Sequence, residues 1–98
     1  MTFASFLESV EKDSTPPDNL SPALKALWLC KADRWDEAHD IAQDIPSKEG
    51  SWIHGLLHAI EGDFGNAGYW FSLAGEPSIT REGIEGEWER IVMAQLSG

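Results

Sequence analysis

An all-α domain of about six helices is what this sequence predicts. Apolar residues recur at three- and four-residue spacing in the long segments, beginning with Phe3, Phe6, Leu7 and Val10. Helix punctuation falls between those segments, as Ser21-Pro22, Pro46, Gly62-Asp63 and Gly75. No stretch alternates with a strand's period of two for long enough to count. A chain of 98 residues can bury one core and is too short for two, so residues 1–98 read as a single domain.

The first amphipathic helix, carrying Phe3, Phe6, Leu7 and Val10, fades at "KDSTPPDN", where two prolines and turn-forming polar residues break it. Ser21 is placed to cap a second helix, with Pro22 at the first helical position, where its missing N–H costs nothing. "ALKALWLC" is apolar on nearly every side, which predicts a central helix packed around most of its circumference. A third helix is expected from about residue 35 to 45. It carries Trp35, Ala38, Ile41, Ala42 and Ile45 on one face and Asp36, His39, Asp40 and Gln43 on the other, and is ended by Pro46. The fourth covers roughly residues 49 to 61. The fifth runs from 64 to 74, with Asp63 as its cap and Gly75 as its stop. Ile84, Trp88, Ile91, Val92 and Leu96 line one side of a sixth helix.

Charge narrows the possible partners. Seventeen acidic residues against seven basic ones give a net charge of −10, a field that repels nucleic acid and anionic lipid. The seven cations are scattered, so no basic patch offsets that field. The opening "MTFASFLESVEKD" has neither a positive leader nor a long apolar run, so neither a signal peptide nor a membrane span is expected. A lone Cys30, with no CxxC partner, fits a reducing cytoplasm and reads as a small core filler.

"DRWDEA" at 33–38 aligns with "GDFGNA" at 62–67, and an aromatic and an alanine recur 29 residues apart. Each copy follows an apolar helix and opens another, which predicts two helix-turn-helix units at about 22–45 and 49–75, flanked by an N-terminal and a C-terminal helix. Gly62, Asp63, Phe64 and Ala67 resemble the interhelical turn of the tetratricopeptide repeat. The first copy keeps Trp35 and Ala38 of that turn and has Asp33 where the family has glycine. Ala26 and Gly55 then match the family's small-residue position of close helix contact, and Ala74 a second one. The stretch "WDEAHDIAQDI…WIHGLLHAIEGDFGNAGYWF" is also similar to small uncharacterised microbial proteins, a likeness that carries no activity. The tetratricopeptide resemblance implies a non-catalytic domain that binds a peptide or protein.

Two features of the fourth and fifth helices bear on chemistry. His54, His58 and Glu61 stand at i, i+4 and i+7, on one helix face, a spacing at which two imidazoles can share a divalent metal. "HGLLH" is not the HExxH of zinc proteases, because Gly55 stands where the general-base glutamate would be. His39 or Asp36 could add a ligand if the third helix turned its polar side toward the fourth. Against this stands a structural reading, in which the stripe is the least buried edge of an apolar helix and its imidazoles simply find local partners. No GxSxG elbow, phosphate-binding GxxxxGK or dinucleotide-binding GxGxxG is present.

Five tryptophans and the run "YWF" load the chain with aromatic surface. Phe64, Ala67, Phe71 and Ala74 complete an inward stripe on the fifth helix, leaving Asn66, Tyr69, Trp70 and Leu73 on its flanks. The leading expectation is an interaction domain in which Trp52, Leu56, Tyr69 and Trp70 anchor a partner, with Asn66 beside them. The competing expectation is a small metal- or ligand-binding protein or enzyme using His54, His58 and Glu61, with His39. Self-association through the exposed aromatics, giving a homo-oligomer, is the third.

Overall fold

A computed structural model describes residues 1–97. Six α-helices follow one another: α1 (Phe3–Lys12), α2 (Pro22–Lys31), α3 (Trp35–Gln43), α4 (Lys48–Ile60), α5 (Phe64–Ala74) and α6 (Ile84–Ser97). A single 3₁₀ turn, Arg81–Gly83, leads into α6, and there is no strand among the described residues. No described helix is long and apolar enough to cross a membrane.

Local chemistry accounts for most of the boundaries. Thr2 and Ser5 form a reciprocal capping box on α1. The Ser21 hydroxyl accepts the Leu24 N–H at 3.2 Å, with Pro22 opening α2. Asp63 accepts the Asn66 N–H at 3.2 Å to start α5, and Gly75 ends it in the left-handed region at φ 75°. Helix α3 stops at Gln43, two residues before the expected Ile45. The N–H groups of Asp44 and Ile45 bond back only three residues, to Ile41 and Ala42, because Pro46 disfavours helical backbone just before it.

The turns α2–α3 and α4–α5 are built alike. Asp33 (φ 62°) and Gly62 (φ 90°) each sit in the left-handed region just past a helix end. The next N–H, of Arg34 or Asp63, bonds five residues back at 2.9 Å, to the Leu29 or His58 carbonyl. Such turns reverse the chain sharply and satisfy the last carbonyls of the preceding helix.

Helix α4 lies at the centre of the fold and contacts α2, α3, α5 and α6. Helix α2, expected there, shares the centre, touching α1, α3, α4 and α6. Every residue of α4 from Trp52 to Ala59 is buried. Close helix approach depends on its glycines: a Cβ on Gly50 would press into the Ile45 carbonyl, and one on Gly55 would lie 3.2 Å from the Ala67 carbonyl oxygen. The two outer helices close the same core. Helix α6 crosses α2 and α4, its Trp88 indole donating to the Leu27 carbonyl at 2.9 Å, and α1 lays Phe3 and Phe6 against Trp88.

Candidate metal centre

Packing of α3 against α4 turns the polar side of α3 inward at one point. His39 there meets His54, their Nε2 atoms 2.9 Å apart and their rings perpendicular. His58, one turn beyond His54 on α4, stacks on it at 4.8 Å between ring centres and takes the His39 edge at 5.5 Å. Three imidazoles from two helices thus converge, with one ligating nitrogen of each within 4.8 Å of the others.

Tryptophans wall the cluster. Trp70 of α5 stacks on His54 with centroids 4.0 Å apart and planes within 10°, continuing the His54–His58 stack. Trp35 stacks on His39 at 4.9 Å and is itself pinned by its indole N–H, which donates to the Leu57 carbonyl at 2.7 Å. Flat neighbours of this kind restrict rotation of the His39 and His54 rings. His54 and His58 are buried and His39 half-buried. With Trp52 the two α4 histidines keep more exposure than Ile53, Leu56, Leu57 and Ala59, so the stripe is the less buried edge of the helix, as expected, though still covered. Rings from α3 and α5 lie over that edge.

The electrostatics favour the neutral, lone-pair-bearing form. Burial pushes the His54 imidazole down to about 4 from an ordinary 6.5, and the neighbouring His39 and His58 push it the same way. At neutral pH its lone pair is therefore available. Two Nε2 atoms at 2.9 Å would repel through their lone pairs, so one of them carries a hydrogen and donates to the other. A divalent ion between the same two nitrogens would need both Nε2 lone pairs, so the donating ring would carry its hydrogen on Nδ1 instead. His58 is oriented from outside. Its Nδ1 meets Glu61 Oε1 at 2.7 Å, which leaves Nε2 as the nitrogen available for a ligand role.

Tetrahedral coordination with metal–nitrogen bonds of about 2.0–2.1 Å separates ligand nitrogens by roughly 3.3 Å. The His39–His54 pair must open by a few tenths of an ångström to reach that value, and His58, stacked on His54, must turn to aim its lone pair at the same ion. A second group, His58, Glu61 and Asp63, shares His58 but draws on two exposed carboxylates that already have tasks. Glu61 orients His58, and Asp63 caps α5.

Of the residues predicted to anchor a partner, Leu56 is fully buried, and Trp52 is buried with its indole N–H donating to Glu87 Oε2 at 2.7 Å. Arg90 bridges Glu87 to Glu76 and lies over the Trp52 ring, so Trp52 belongs to the α4–α6 packing. Neither residue presents a binding surface. Asn66 is exposed near the start of α5, Tyr69 is 60% exposed, and Trp70 is half-buried against His54. Asp36, the other ligand considered on α3, is exposed and lies outside the cluster. Sequence reading did not assign Trp35 to the site, and only the contact between α3 and α4 reveals it.

No family model, curated protein or solved structure matches this chain. The reading of the site therefore rests on its own geometry.

Proposed function

We propose that this chain is a small helical protein that binds a divalent transition-metal ion through His39, His54 and His58. The observation that carries the proposal is the convergence of three imidazole nitrogens from α3 and α4 within 4.8 Å, with Trp35 and Trp70 stacked on His39 and His54. Three neutral imidazoles suit zinc, nickel, cobalt or copper and do not suit calcium or magnesium, which take oxygen ligands. A structural role would use the His39–His54 hydrogen bond and leave the third imidazole beside it unexplained.

The test is thermal unfolding of untagged, metal-stripped protein with zinc, nickel, cobalt or manganese added. It is run beside the His54→Ala/His58→Ala double variant and a His39→Ala variant. Binding to the folded state raises the midpoint by mass action, by about 2.7 kcal/mol of stabilisation at a hundredfold excess over Kd. A rise for the parent that each variant loses supports a metal centre. Midpoints that no metal moves would return the histidines to the core.

A second reading keeps the fold as a helical interaction domain for a protein or peptide, built on the tetratricopeptide-like hairpins. It draws on Tyr69 at 60% and Leu73 at 49% exposure, both on α5. Binding of a basic peptide at low salt that disappears with Tyr69→Ala and survives His54→Ala would favour it.

A further inference from the structure

We infer, resting on the metal reading above, that the bound ion keeps one exchangeable coordination position open to water or a small anion, and that Glu61 positions His58 without being a ligand. Zinc sites with a structural role are closed by four protein ligands, whereas sites with three protein ligands hold an exchangeable fourth. Among the described residues the cluster supplies three ligand atoms, and its neighbours are committed elsewhere. Trp35 and Trp70 occupy the flat faces of His39 and His54 and offer the ion nothing. Asp63 holds the Asn66 N–H at the start of α5.

Glu61 is the nearest candidate for a fourth ligand, and its geometry points to another role. Its Oε1 lies 2.7 Å from His58 Nδ1, which leaves Nε2 as the ring nitrogen free to ligate. A carboxylate accepting that N–H fixes the tautomer that leaves Nε2 unprotonated, orients the ring, and makes it a better donor. Glu61 caps the C-terminus of α4, and its exposed side chain bridges His58 to solvent.

The ion therefore has three protein ligands, and the fourth position falls to solvent or a small anion. An exchangeable position is what Lewis-acid chemistry on a carbonyl or phosphoryl oxygen requires, and it lowers the pKa of a bound water. Small oxygen or nitrogen anions are the ligand class that fits there.

The experiment uses the full chain loaded with cobalt(II), whose visible bands report coordination, titrated with azide. Bands that shift with saturable azide dependence support the open position. Cobalt bands that azide leaves unmoved overturn it while leaving the metal reading intact. No cobalt uptake overturns both. In Glu61→Gln the proposal expects unchanged band positions, a retained azide response and roughly 10- to 100-fold weaker cobalt affinity. A changed band pattern in that variant would make Glu61 a ligand and overturn its positioning role, and Asp63→Asn is expected to leave both bands and affinity as in the parent.

Discussion

Acidifying the metal-stripped protein from about pH 7.5 to about pH 5 should remove roughly 2 kcal/mol of stability through His54 alone. The folded imidazole is held down to about 4 by burial and by its two histidine neighbours, against an ordinary 6.5 once the chain unfolds. Between those values the unfolded chain takes up a proton that the folded chain refuses. The stability is therefore complete above the unfolded value, falls as the pH drops through the interval, and levels off below the folded value. Integrating over the interval down to about pH 5 gives roughly 2 kcal/mol, and the full interval gives roughly 3 kcal/mol. Urea unfolding followed by tryptophan fluorescence reads this directly. With a slope of about 1–3 kcal/mol per molar for small proteins, the midpoint should drop by about 1 M. Carboxylates titrate mostly below this window, and His54→Phe supplies the control: its midpoint should be distinctly less sensitive to the same change. A parent midpoint that does not move, or a His54→Phe variant that loses as much as the parent, would refute the argument.

Two glycines of α4 should respond very differently to alanine. In Gly50→Ala the new Cβ meets the Ile45 backbone, which cannot yield, and a loss of about 3 kcal/mol or more in thermal unfolding is expected. In Gly55→Ala the contacts, 3.2 Å to the Ala67 carbonyl and 3.3 Å to the Phe71 ring, are tight but adjustable. Alanine's helix preference offsets them, so the change should stay within about 1 kcal/mol. Cys30 should resist alkylation in the folded state, because burial, its largest influence, pushes the thiol up to about 12. Mass spectrometry after a timed iodoacetamide pulse should find it nearly unmodified near neutral pH and rapidly modified in urea.

Helix order, most boundaries and the caps Ser21, Asp63 and Gly75 are local effects, and local effects are legible in a sequence. The burial of Trp52 and Leu56 was not, because nearly every side of α4 is apolar and periodicity cannot tell which side meets solvent. The histidine site was half legible. The i, i+4 spacing of His54 and His58 marks them as neighbours on any helix, but the third ligand depends on how α3 crosses α4. That crossing is set by Gly50 against Ile45 and by the Trp35 indole reaching the Leu57 carbonyl, contacts that no spacing along the chain encodes. For the same reason Trp35 and Trp70 read as generic aromatic loading until their rings are seen lying on His39 and His54.

The most direct measurement is X-ray absorption at the metal edge on protein loaded with one equivalent of zinc, with His39→Ala measured alongside. The account predicts one ion per chain, three imidazole nitrogens at about 2.0–2.1 Å and one exchangeable donor that is not imidazole, with the imidazole count falling by one in the variant. Failure to retain the ion, or a coordination shell that His39→Ala leaves unchanged, would contradict it.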